Sequence, residues 1–235
     1  MDFPIYLAMT ASELANCCQL PEKIAWMACH FSPYGTGLSN LPNHIPDGSI
    51  IILNDRIPLC GHDPCHIVRQ LTEIVQQHKA FGVLIDFQRP VSSESLAVVE
   101  QLNLLTCPAA ITETYAQYSS LAVFLSSPAP HISVKDHIIP WKDRDIWLEL
   151  SLEPEIIRLS KDKAVKLPGC KNQSSSTQLQ DADLCCHYQI SIDTEYADFS
   201  VYRTKEDLNN FIKQVSALPI RMGIGLYQEL RDVLL

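Results

Sequence analysis

Short apolar runs that end abruptly in polar residues recur along the chain. Pro4–Met9, Ile24–Phe31, Ser49–Leu53, Val83–Ile85, Ala109–Glu113, Leu121–Leu125 and Met222–Leu226 have this form. An apolar run without alternation is the pattern of a strand buried on both faces, as in a parallel sheet. Asp145–Leu152 alternates instead, with Ile146, Leu148, Leu150 and Leu152 apolar and Glu149 between them. Helix signals fall between several of these runs. Thr10 and Glu13 form a capping box ahead of a short helix. Asp63 as N-cap and Pro64 as first helical residue start a helix to about Lys79, with Ile67, Leu71, Ile74 and Val75 at helical spacing. Ser92 or Ser93 starts another to about Leu105, and Thr204–Asp207 starts one over Leu208–Val215. Counting the alternating segment, these strands predict an α/β fold, a small (β/α)8 barrel over residues 1–235 as a single domain. The joint between Glu113 and Leu121 is too short for a full crossover helix.

Residues 154–203 read differently. Ile156–Leu167 has the pattern of a hairpin turning at Ser160–Lys163, and His187–Asp193 with Phe199–Arg203 form a further strand pair. The Ser-, Gln- and Asp-rich stretch 169–183 reads as a flexible surface loop. Together they predict a β-rich insertion late in the barrel.

In a barrel, the polar residues that end the strands share one face. Here they are His30, Asn54, Asp55 and Arg56, Asp86, Gln88 and Arg89, Glu113, Ser126 and Ser127, Glu149, and Tyr227 with Gln228. Carboxylates and amides bind hydroxyls, and aromatic rings stack on the C–H faces of pyranoses, so this set suits a carbohydrate or other small polar ligand. Each residue also has a bland role in isolation, as a cap or a packed side chain; their coincidence at strand ends carries the reading.

Composition removes other classes. A hydrophobic content of 46% with 19% charged residues describes a chain with a substantial core, and a net charge of -9 opposes binding to nucleic acid. The nine cysteines are an odd number that includes the vicinal pairs Cys17–Cys18 and Cys185–Cys186, which reads as reduced thiols in a cytoplasmic setting. The N-terminus has no basic region ahead of its apolar run, and no run approaches the roughly 18 residues that span a bilayer, so no membrane role is expected. Cys60, His62, Cys65 and His66 invite a zinc reading, but their spacing matches no common site and the helix start at Asp63–Pro64 accounts for the segment. The glycine-bearing loop 34–42 lacks the lysine of a phosphate loop. No metal or cofactor is expected.

One stretch carries a family resemblance. Gly82-Val83-Leu84-Ile85-Asp86-Phe87-Gln88-Arg89-Pro90 resembles the fourth-strand signature of the family-18 glycoside hydrolases, the chitinase-like barrels. The glycine, the second aspartate (Asp86), the aromatic residue (Phe87) and the proline (Pro90) are present. Leu84 stands where the family has its first aspartate, and Gln88 stands where it has its catalytic glutamate. Gly223–Glu229 resembles the eighth strand of that family, with Tyr227 in the position of the aromatic that floors the sugar site. The resemblance implies a barrel whose substrate binds at the strand ends and whose proton donor is lost, because glutamine has no titratable proton. Two outcomes follow. The barrel binds a glycan or small polar ligand without cleaving it, or a relocated acid restores hydrolysis, with Asp86 and Glu113 as the pair and Glu149 as a further candidate. A third reading makes the 154–203 insertion a protein-contact surface, adding to a partner sheet or forming a homo-oligomer.

Overall fold

The computed structural model describes residues 3–59, 61–167 and 178–234. Along the chain lie strands β1 (Ile5–Met9), β2 (Ile24–Phe31), β3 (Leu38–Ser39), β4 (Ile50–Asn54), β5 (Gly82–Asp86), β6 (Ala109–Thr112), β7 (Ala122–Leu125) and β8 (Ile146–Leu150). A separate group follows, β9 (Glu155–Ser160), β10 (Ala164–Leu167), β11 (Gln178–Asp181), β12 (Cys186–Ile192) and β13 (Tyr196–Tyr202), before the final strand β14 (Met222–Leu226). The order β1-β14-β8-β7-β6-β5-β4-β2, with β1 pairing β2, closes a barrel of parallel strands. The two-residue β3 pairs antiparallel with the end of β2. The expected (β/α)8 barrel is therefore present.

The helices between the strands are α1 (Ala11–Asn16), α2 (Pro64–Gln77), α3 (Ser93–Leu102), α4 (Glu113–Ala116), α5 (Val134–Ile138), α6 (Lys205–Ser216) and α7 (Tyr227–Leu234). Their starts follow the capping chemistry. Thr10, Ser92 and Thr204 each close a capping box, and the Asp63 side chain accepts from the Cys65 amide at 3.0 Å with Pro64 following it. The short joint after β6 holds only the four-residue α4. Neighbouring strands β6 and β7 remain paired without a full crossover helix, and the Arg144 guanidinium ties the joint by donating to the carbonyls of Ala116 and Leu121.

Strand alternation divides the apolar side chains into two clusters. The outward set, including Leu7, Ile51, Leu53, Val83, Ile85, Ile111, Val123 and Leu148, packs under the helices. The inward set fills the barrel with Tyr6, Ala8, Ala25, Ile50, Ile52, Leu84, Ala110, Trp147, Met222 and Ile224. Phe81 meets Tyr6 at 6.1 Å and Trp147 at 6.4 Å between ring centroids, so aromatic rings plug the lower end. Gly82 owes its identity to this closeness. A Cβ there would stand 2.1 Å from the Pro108 carbonyl oxygen, which is why the β5 signature must begin with glycine.

The late insertion is a five-stranded antiparallel sheet in the order β10-β9-β13-β12-β11. The hairpin β9–β10 and the pair β12–β13 match the sequence expectation. The loop expected over 169–183 falls partly outside the described residues. Its described part needs correction: Gln178–Asp181 is β11, paired with Gln189–Cys186, because ladder partners on β12 override a polar composition.

The sheet is joined to α6 by a buried acid. His187 Nδ1 on β12 lies 2.6 Å from Asp207 Oδ2, and Asp207 also accepts from the Thr204 amide at 2.8 Å and its hydroxyl at 2.7 Å. Burial alone would raise the Asp207 carboxyl, but these hydrogen bonds and His187 outweigh it and hold the group below the usual aspartate value. Asp207→Ala should cost roughly 3 kcal/mol at neutral pH. A group whose folded pKa is depressed gives its full stabilisation above the unfolded pKa and loses it as pH falls through the folded one. Urea melts should therefore show the wild-type advantage shrinking as pH drops below the ordinary aspartate range; a gap constant with pH would contradict the assignment.

Candidate functional site at the barrel mouth

The segment leaving β5 is held from both sides. Phe87 is buried, packs edge-on to Tyr115 at 5.5 Å, and has its carbonyl capped by the Thr112 hydroxyl at 2.8 Å. Asp55, just past the end of β4, is 5% exposed and accepts from the amides of Gln88 and Arg89, both at 2.9 Å. Arg89 returns the contact, donating from Nε to the Asp55 carbonyl at 2.7 Å and from Nη2 to the Arg56 carbonyl at 2.9 Å. The Tyr115 hydroxyl donates to the Arg89 carbonyl at 3.0 Å. This frame presents Asp86 and Gln88 on one face, and Gln88 Nε2 donates to Asp86 Oδ1 at 2.6 Å.

Above the apolar barrel filling opens a cavity of about 430 Å³. Its lower wall is Ala8, Met27, Ile52, Leu84, Phe124 and Ile224; its rim carries Asn54, Asp55, Arg56, Asp86, Gln88, Thr112, Ser126, Glu149 and Leu226. An apolar floor under a few convergent polar groups is the usual form of a small-ligand site. Burial raises the Asp86 carboxyl, partly offset by the Gln88 hydrogen bond and reinforced by the Asp55 charge. Burial also raises Glu149, against the hydrogen bond from the Ser127 amide at 3.0 Å and with the negative charge of Asp86 adding to the rise.

The strand ends thus bring together Asn54, Asp55, Asp86, Gln88 and Glu149, and leave other candidates outside. Asn54 spends its amide on the irregular part of β2, donating to the Cys29 carbonyl at 2.9 Å. Asp55 is occupied as described, so its role is to shape the loop. His30 supports the β2–β3 turn, with Nδ1 2.7 Å from the Phe31 carbonyl and Nε2 3.0 Å from Asn40 Nδ2. Arg89 points away to the Asp55 and Arg56 carbonyls. Glu113 does not line the cavity; it opens α4, one residue past the inward Thr112. Of the two acids weighed as partners for Asp86, Glu149 shares its cavity and Glu113 does not.

Tyr227 also lies outside the cavity lining. Met222, Ile224 and Leu226 alternate inward along β14, so Leu226 stands at the mouth and Tyr227 begins α7. Its hydroxyl lies 3.3 Å from Cys17 Sγ, and Gln228 reaches the Glu13 carboxylate of the α1 capping box. Sequence reading missed Thr112, Phe124 and Leu226. The period-two alternation of β6, β7 and β14 was the signal that places them.

Among the described residues, no group of three or more His, Cys, Asp or Glu side chains is arranged to hold a metal ion, and no helix is long and apolar enough to cross a membrane.

No protein-family model matches the chain, and no curated protein matches it in sequence. Solved structures do resemble it. A glycoside hydrolase family 18 N-acetylglucosaminidase from Paenibacillus barengoltzii superposes with a TM-score of 0.62 at 9% identity, covering 99% of this chain and 99% of that one. A chitinase from Chromobacterium violaceum gives 0.60 at 8% identity over 95% of this chain and 93% of the other. A class V chitinase from Nicotiana tobaccum, a glutamate-to-glutamine mutant in complex with NAG4, gives 0.55 at 10% identity over 96% and 93%. At such identities the likeness is one of architecture. The chain has the barrel fold of the family-18 glycoside hydrolases, the fold the β5 signature implied.

Proposed function

We propose that this barrel binds a glycan at the mouth formed by Asp86, Gln88 and Glu149 and does not hydrolyse it by the standard family-18 route. The observation that carries the reading is Gln88 itself: it stands beside Asp86 at 2.6 Å, at the position of the expected acid, and has no proton to give. The apolar wall with Phe124 and the polar rim supply what a sugar ring needs, a face for its C–H groups and acceptors for its hydroxyls. The tobacco relative, itself a glutamate-to-glutamine mutant, holds NAG4, which supports binding by such a site without an acid.

Calorimetric titration with chitotetraose tests this. The wild type should bind, and Asp86→Ala should weaken binding by at least about tenfold while remaining folded. Equal affinity in the two proteins would sink the site assignment. A second reading is favoured by one observation, the proton-holding tendency of Glu149 in the same cavity as Asp86. Under it, slow hydrolysis occurs and Glu149→Gln abolishes it.

A further inference from the structure

The barrel mouth has more acceptors to offer than donors. Its donors are largely spent on the protein itself. The Asn54 amide goes to the Cys29 carbonyl, the Thr112 hydroxyl to the Phe87 carbonyl, and Gln88 Nε2 to Asp86 Oδ1. The acceptors are only half used. Glu149 accepts the Ser127 amide on Oε2 alone, and Asp86 accepts Gln88 on Oδ1 alone. Asp86 Oδ2 and Glu149 Oε1 accept no hydrogen bond from the described residues, and neither is shut off from solvent. Both residues line the cavity.

The charges lean the same way. Asp55, Asp86 and Glu149 line the cavity, and Glu153 and Glu229 stand near enough to Glu149 to act on its charge. Arg56 is the one basic residue in the lining; it is exposed at the rim and ion-paired with neither Asp86 nor Glu149. The two ionised acids therefore disfavour each other, a cost that a bound cation relieves and a neutral group does not. A protonated amine brings three donors and a full positive charge. An acetamido group brings one N–H and a carbonyl, and that carbonyl faces a mouth short of donors.

We propose that the mouth selects an amino sugar whose nitrogen is unacetylated, its ammonium group held by the free oxygens of Asp86 and Glu149 while the ring lies on the apolar floor beside Phe124. The inference rests on the glycan-binding reading above and names its substrate class.

Calorimetry on the full chain tests it, comparing chitotetraose with its fully de-N-acetylated counterpart at about pH 6.5, where a free amine is largely protonated. The wild type should bind the amino form at least about tenfold more tightly. The chain's net charge of -9 attracts any polycation, so variants that remove one charge each decide where the preference arises. Glu149→Gln should cut the preference by about fivefold or more, whereas Glu73→Gln, on the exposed side of α2, should keep it. Asp86→Asn makes the same test from the other acid if Glu149→Gln fails to fold. An equal loss in Glu73→Gln and Glu149→Gln would mean attraction to the whole surface and would overturn the site. Chitotetraose binding as tightly as the amino form would overturn the preference and leave the glycan reading intact. Binding of the amino form alone, weakened by Glu149→Gln and not by Glu73→Gln, upholds it. If neither tetrasaccharide binds, the glycan reading and this inference fall together.

Discussion

Gln88→Glu should release reducing ends from chitotetraose at a rate roughly a hundredfold or more above the wild type, the lower end of what a positioned general acid contributes. Gln88 is exposed and its carboxamide already lies 2.6 Å from Asp86 Oδ1, so the new carboxyl arrives in place with little cost in stability. Two carboxyls at that separation cannot both ionise readily, and one retains a proton near neutral pH. Asp86 is already pushed upward by burial and by the Asp55 charge, which strengthens the effect. The gain should stay far below that of a full hydrolase. Leu84 occupies the first aspartate's position and is 2% exposed within the barrel filling, so restoring an aspartate there would bury an unpaired charge. A Gln88→Glu protein that binds glycan with no turnover would mean that the missing acid is not what silences this site.

Asp55→Ala should destabilise the protein by about 3 kcal/mol and abolish glycan binding together. Its carboxylate accepts two amide hydrogen bonds from the loop that carries Gln88, and bonds to a charged group contribute about 1.5–3 kcal/mol each net of water. The Arg89 bonds run to the backbone carbonyls of residues 55 and 56, so the variant keeps them and the loss is confined to the two amide contacts. Asp55→Asn keeps one acceptor oxygen and should lose about half as much. The contrast with Asp86→Ala is diagnostic. Asp86 hydrogen-bonds only to Gln88 among the described side chains, and its burial raises its pKa, so its ionised form opposes folding; its folded pKa above the unfolded value means stability falls as pH rises between the two. Removing it should leave the melting temperature unchanged or raise it by a few degrees, at roughly 1 kcal/mol or less, while binding is lost. Chemical denaturation of the two variants beside calorimetry separates the loop-shaping acid from the ligand-facing one. If both unfold alike, Asp86 is a structural residue.

The barrel was legible because buried parallel strands announce themselves as apolar runs that stop at polar residues, and because Thr10, Asp63 and Thr204 mark helix starts by local chemistry alone. The β5 signature was legible for a reason the structure makes plain: Gly82 is forced by the Pro108 carbonyl, Phe87 by burial against Tyr115, and Asp86 by its place facing the cavity. What was hidden depended on where a strand ends. Glu113 and Tyr227 each lie one residue past the last inward position, and at period two a single residue decides between the mouth and the outer wall. The polar strand β11 was hidden because its pairing comes from β12, across the sheet.

A single calorimetric titration of the wild-type chain with chitotetraose tests the central claim most directly. Binding without turnover gives heats that saturate and a baseline that returns after each injection, and that is the predicted trace. A sustained thermal power proportional to substrate, with free N-acetylglucosamine oligomers in the cell afterwards, would contradict the loss of hydrolysis that Gln88 implies. Heats no larger than those of dilution would contradict a neutral-glycan site at the barrel mouth.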